Sequence, residues 1–170
     1  MKLNIIFFLG IVVLGGLSCT DSGKNQLKVE DDYFINPIFS SGSNPNALFY
    51  GGKYYYTHET NDMILLWETN DITDMGSAVC KEVWRPADSK SMHNLWAPEI
   101  HRINDKWYIY YAADDGNTDN HQIYVLENDA RTPMEGTFKQ KGPIMTNQEW
   151  NWGIHASTFV HKGVQYLIWS

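Results

Sequence analysis

Three stretches of this chain repeat one another, and that repeat limits the fold more than any other feature of its 170 residues. Ala47-Leu48-Phe49-Tyr50 is followed by Gly51-Gly52 and Lys53-Tyr54-Tyr55-Tyr56. Glu99 to Ile103, Asn104-Asp105 and Lys106-Trp107-Tyr108-Ile109-Tyr110 follow the same plan. So do Ser157 to Val160, His161-Lys162-Gly163 and Val164 to Trp169. Each is a short aromatic or β-branched run, a turn rich in Gly or Asn/Asp, and a second run, which is the pattern of a β-hairpin. The turns at Gly52, Asp105 and Gly163 follow one another at a nearly constant interval.

A second register runs in step with the first. Trp67-Glu68-Thr69-Asn70-Asp71 recurs as Leu126-Glu127-Asn128-Asp129, with Glu68 and Glu127 separated by much the same interval as the turns. These predict third strands. Ala78 to Trp84 and Thr137 to Ile144 are the expected fourth strands. A four-stranded unit recurring at this spacing is the sequence form of a propeller blade, whereas a β-sandwich would show no such recurrence. Two units and the first hairpin of a third are present, so the reading expects further blades after Ser170.

The segment before the repeat has a different character. Lys2 followed by the apolar run Ile5 to Leu14 reads as an export leader, too short for a confident membrane span. Gly16-Leu17-Ser18-Cys19 resembles a bacterial lipobox, in which the Cys thiol becomes lipidated. The expected organisation is therefore a lipoprotein signal peptide at 1–18, a polar tether at 19–35 and a partial propeller at 36–170. With Cys19 lipidated, Cys80 has no partner for an intrachain disulfide. The expected location is extracytoplasmic, with membrane contact through the lipid alone. A net charge of −7 without a basic stripe argues against nucleic-acid binding.

The innermost strands of a propeller converge on its axis, so their leading ends share one pocket. Asn44 precedes Gly52, His155 precedes Gly163 and Glu99 precedes Asp105, in each case by an even offset. Even offsets place side chains on one strand face. Asn44, Glu99 and His155 are thereby grouped as a polar set on the axis. His101 alternates with Glu99 and shares its face, and Trp96 is either a core aromatic or a sugar platform. His58, His93 and His121 have no metal-ligand spacing. Asp114-Asp115-Gly116-Asn117 reads as a solvated loop without the further ligands of a calcium site.

The run Asn94-Leu95-Trp96-Ala97-Pro98-Glu99-Ile100-His101, with Lys106 to Tyr110 and Tyr124 to Asn128 after it, resembles glycoside hydrolase family 43. The likeness is to that family's bacterial α-L-arabinofuranosidase-like members and runs from about Asn36 to Ser170. It implies an all-β, five-bladed propeller, of which about two and a half blades lie in this sequence. It implies cleavage of arabinose- or xylose-containing polysaccharide or oligosaccharide with inversion. Inversion uses two carboxyl groups about 6.5–9.5 Å apart, one activating water and one protonating the leaving oxygen. By resemblance, Asn44 occupies the general-base position, His155 that of the Asp that tunes the acid, and the acid itself belongs to a later blade. Trp96, Glu99 and His101 are the expected substrate contacts.

Both catalytic positions depart from the pattern. A side-chain amide cannot take a proton from water. Protonated, His155 would lower the pKa of a neighbouring Glu instead of keeping it an acid. No acid aligns as a substitute base, the nearest in sequence being Glu59 and Asp62. The alternative expectations are a catalytically inactive carbohydrate-binding propeller or a non-functional truncated product. Hydrolysis of this kind requires no cofactor. An axial calcium ion suits propellers in general, but no spacing in this sequence calls for one.

Overall fold

The computed structural model describes residues 34, 36–87, 92–146 and 152–170. The expected leader, Cys19 and the tether up to Tyr33 fall outside the described residues. Ten strands form in chain order: β1 (Asn46–Tyr50), β2 (Lys53–Thr57), β3 (Ile64–Thr69), β4 (Val79–Trp84), β5 (His93–Ile103), β6 (Lys106–Asp114), β7 (Gln122–Asn128), β8 (Lys139–Pro143), β9 (Ser157–His161) and β10 (Val164–Ile168). They build one sheet ordered β1-β2-β3-β4, another ordered β5-β6-β7-β8, and the β9–β10 hairpin. All pairings are antiparallel. The chain is a partial β-propeller of two four-stranded blades and the inner hairpin of a third.

The three hairpins close at the turns that the sequence repeat marks. Tyr50 pairs with Lys53, Ile103 with Lys106, and His161 with Val164. Gly51 and Gly52 (φ 62° and 82°) and Asn104 and Asp105 (φ 47° and 61°) are all left-handed, as a two-residue hairpin turn that matches strand twist demands.

Alternation along β2 and β6 assigns side chains to two faces. Tyr55, Ile64, Leu66 and Val83 of the first blade meet Ile100, Trp107, Ile109, Tyr111 and Leu126 of the second in one buried core. Tyr56 and Trp67 point the other way, onto Met75 and Phe39. On the far side of the second blade, Ala112 and Ile123 meet Ala156, with Trp96, Leu167 and Trp169 packed around them. The second blade is thus apolar on both faces, as a blade between two others must be.

Two strands are longer than the sequence suggests. β5 begins at His93 instead of Glu99, and β6 continues to Asp114. Pro98 reads as a strand breaker, but β5 is the inner edge strand of its sheet, bridged on its free side only through Leu95, so the missing N–H of Pro98 costs nothing. β5 accommodates left-handed residues at Asn94 (φ 51°) and Ala97 (φ 45°) through register shifts between His93 and Trp96 and between Trp96 and Glu99.

Candidate active site

The leading ends of β1, β5 and β9 repeat one backbone feature. Asn44, Ala97 and His155 have φ of 49°, 45° and 56°. Each stands at the same offset before the second of the paired turn residues, Gly52, Asp105 and Gly163 in order. A left-handed L-residue costs about 1–2 kcal/mol, so three at matched positions mark a bend that the blade requires. This corrects the grouping by even offsets. The residue of the second blade that matches Asn44 and His155 is Ala97, and Glu99 matches Asn46 and Ser157. Parity alone does not separate Glu99 from the matched set, because its offset differs from theirs by two residues. Asn46 ties the first two blades together, its Oδ1 accepting the backbone N–H of Ile100 at 3.1 Å.

Asn44 is half-buried, and its Nδ2 donates to Glu59 Oε2 at 2.7 Å. The Glu59 backbone N–H donates to Ser43 O at 3.0 Å. Glu59 lies in the loop between β2 and β3, which is fixed at both of its sides. Leu95 N–H donates to Asn61 O at 3.1 Å, an isolated bridge to β5, and Thr60 Oγ1 donates to Met63 O. Of the two acids nearest in sequence, the structure brings Glu59 to Asn44. Asp62 is exposed and lies 3.8 Å from the Arg85 guanidinium.

His155 is exposed. Its neighbours are held: Gly153 N–H donates to His121 O at 3.2 Å, Ile154 exchanges backbone hydrogen bonds with Ser170, and Ala156 is buried. No described contact joins His155 to Asn44 or Glu59.

Glu99 and His101 do share a face, with Glu99 Oε2 3.4 Å from His101 Nε2 and both half-buried. Tyr110 lies opposite Glu99 in β6, and its ring stands 5.7 Å from the His101 imidazole. Burial raises the Tyr110 hydroxyl pKa, so it is a neutral donor at working pH. Trp96 is partly buried, and one face of its indole is taken by His121 at 4.4 Å with 29° between planes.

Below Trp96 lies a cluster that sequence reasoning missed. Asp114, expected in a solvated loop, ends β6 and is 3% exposed. Its carboxylate accepts from Asn94 Nδ2 at 3.0 and 3.1 Å and from Gly116 N–H at 2.8 Å, and lies 2.7 Å from Nδ1 of fully buried His121. Only Asp115, exposed, behaves as the loop acid expected. Hydrogen bonds from Asn120 and from the Asn117 backbone hold its pKa below the usual carboxylate range. An acidic turn run resembles a solvated loop whichever way its first carboxylate faces, so composition carried no signal of this.

Among the described residues no group of three or more His, Cys, Asp or Glu could hold a metal ion. Clefts of about 240, 380 and 380 Å³ on the described surface are not lined by Asn44, Glu99 or His155. The leading ends form an open rim that carries two half-buried carboxylates, Glu59 bonded to Asn44 and Glu99 beside His101.

Residues 34–170 match the family model described as glycosyl hydrolases family 43. An extracellular exo-α-(1→5)-L-arabinofuranosidase of Streptomyces chartreusis is 34% identical over 143 residues, covering 81% of this chain and 43% of that protein. An α-L-arabinofuranosidase of Humicola insolens is 30% identical over 141 residues, covering 81% of this chain and 29% of its own length. The crystal structure of an α-L-arabinofuranosidase from Lactobacillus brevis superposes with a TM-score of 0.74 at 26% identity, over 80% of this chain and 46% of that one. The chain thus spans less than half the length of these relatives.

Proposed function

The chain belongs to glycosyl hydrolases family 43, and on that premise we propose that its full protein hydrolyses glycosidic bonds in arabinose-containing polysaccharide. The 34% identity to an exo-acting arabinofuranosidase over 81% of this chain carries the reading. The rim supports it, since the inner strands present their bends at one register. Two carboxyl groups flanking a water give inversion. By the family resemblance the acid that protonates the leaving oxygen belongs to a later blade, and the rim described here would supply the group that activates water. The chemistry requires no cofactor.

Asn44 and His155 favour a second reading, in which the propeller binds arabinan or xylan without turnover. One assay separates the two. The full-length protein is incubated with arabinan and with para-nitrophenyl α-L-arabinofuranoside and β-xyloside, and the first-formed sugar is followed by NMR. Release of arabinose with inverted configuration supports the hydrolase. Retention of glycan without release, in affinity electrophoresis, supports the binding module.

An extracytoplasmic location with a lipid anchor on Cys19 fits the leader pattern, and two relatives are named extracellular. Exchange of Cys19 for Ala should release the protein from the membrane fraction.

A further inference from the structure

We propose that Glu59 is the general base of this protein and that Asn44 positions it. The inference rests on the hydrolase reading above and deepens it. A base at this rim has to be a carboxylate with access to water, held in place and not neutralised. Among the described residues, the acids around the leading ends fail on one count or another, apart from Glu59. Asp114 is buried, with its oxygens committed to Asn94, Gly116 and His121. Asp115 is exposed in a turn and bonded to Asn117 and Asn120. Asp62 faces Arg85, and Glu99 stands at the register of Asn46 and Ser157, two residues past that of Asn44 and His155.

Glu59 is half-buried and makes no ion pair with Lys or Arg among the described residues. Its Oε2 is engaged by the Asn44 amide at 2.7 Å, while Oε1 accepts no hydrogen bond from the described residues. An amide donor fixes the carboxylate without cancelling its charge. The backbone bond from Glu59 to Ser43 and the bridge from Asn61 to Leu95 clamp the loop between the first two blades. A glutamate reaching in from the β2–β3 loop thus stands beside the position where Asn44 itself lacks a basic group.

The step balances as follows. Glu59 Oε1 takes a proton from water as the water oxygen bonds to the anomeric carbon from the face opposite the leaving group. The glycosidic C–O bond breaks with its electrons on the leaving oxygen, which takes a proton from a carboxylic acid of a later blade. Glu59 becomes neutral and returns its proton to solvent.

The experiment uses the full-length protein and para-nitrophenyl α-L-arabinofuranoside. Glu59→Gln should lower kcat by about 10²–10⁴-fold, the usual size of general-base assistance. Azide needs no base, so adding it to Glu59→Ala should restore release of nitrophenol and yield the glycosyl azide of inverted configuration. A structural role for Glu59 would not produce that adduct. Activity within threefold of the parent in Glu59→Gln overturns the inference and leaves the hydrolase reading standing. So does a loss that azide does not rescue. A parent without activity that gains it on Asn44→Asp with His155→Asp also overturns the inference, since the scaffold then lacks a base. Inactivity of both parent and double variant removes the inference and the hydrolase reading together.

Discussion

The first and third leading ends share a backbone and differ in almost everything around it. Asn44 and His155 have φ of 49° and 56° and the same distance to their hairpin turns. Asn44 is half-buried, bonded to Glu59 and framed by a loop stitched to the second blade. His155 heads the inner hairpin of the third blade, with no described side-chain contact of its own. The backbone register decides where a rim residue stands. The loop that closes over it from a neighbouring strand decides what it can do. A sequence alignment compares only the first of these, and for that reason Asn44 alone looks like the loss of a base.

The largest effect should come from the core that supports the first leading end. Trp107 is fully buried, with Tyr50 and Tyr55 edge-on at 5.2 and 5.3 Å and the Arg102 guanidinium 4.8 Å above its ring. Trp107→Ala should cost about 3–5 kcal/mol in urea denaturation of this chain, because the cavity sits between two sheets that cannot both relax into it. Tyr166 of the third hairpin is 43% exposed and, among the described residues, stacks on exposed Phe159 alone. Tyr166→Ala should cost under about 1 kcal/mol. Similar losses at the two sites would show the third hairpin to be as tightly held as the first blade and would erase the contrast.

The hairpins were legible because their signals are local: alternation within each short run and turn chemistry at Gly51-Gly52, Asn104-Asp105 and Lys162-Gly163. The blade repeat followed from their spacing. The extension of β5 past Pro98 was not legible, since only its place at the sheet edge makes a proline harmless there. Nor was the match of Ala97 with Asn44 and His155, because parity does not tell apart positions that stand two residues from one another. Asp114 was misread for a related reason, as burial of a carboxylate is decided by His121 and Asn94, which reach it from other segments. Glu59 stood out in the sequence only as a near neighbour of Asn44. The contact between them depends on how the β2–β3 loop folds back.

A smaller effect sharpens the comparison at the rim itself. Glycine relieves a left-handed backbone that costs an L-residue about 1–2 kcal/mol, against a gain of about 0.4–1 kcal/mol in unfolded-state freedom. At His155, where no described side-chain contact is lost, His155→Gly should stabilise the chain by about 0.5 kcal/mol on that balance. At Asn44 the same exchange also removes a half-exposed hydrogen bond to a carboxylate. Asn44→Gly should therefore destabilise by about 1 kcal/mol. Two substitutions at matched φ would then carry opposite signs in thermal unfolding. If both stabilise, the Asn44–Glu59 bond contributes nothing to the fold.

The smallest effect is a pH dependence seated in the first blade. His58 is buried, stacked on Trp67 at 4.7 Å with 19° between planes and flanked by Phe39 and Tyr56. Burial lowers its pKa, and the neighbouring Glu59 charge opposes the shift without cancelling it. The unfolded chain therefore binds a proton at higher pH than the folded chain does. Stability should fall as pH drops from about 6.5 toward the lower folded value, then level off as far as this group is concerned. The acids Asp71, Glu82, Asp115 and half-buried Glu127, whose pKa values hydrogen bonds and ion pairs hold low, lose their contributions only at still lower pH. The two windows are separable in urea midpoints taken across the acid range. His58→Phe keeps the stack on Trp67 and should flatten the upper window while leaving the lower one in place. An unchanged upper slope in that variant would mean that the imidazole reaches water, and the loop carrying Glu59 would then lack the packed base on which its hold over Asn44 depends.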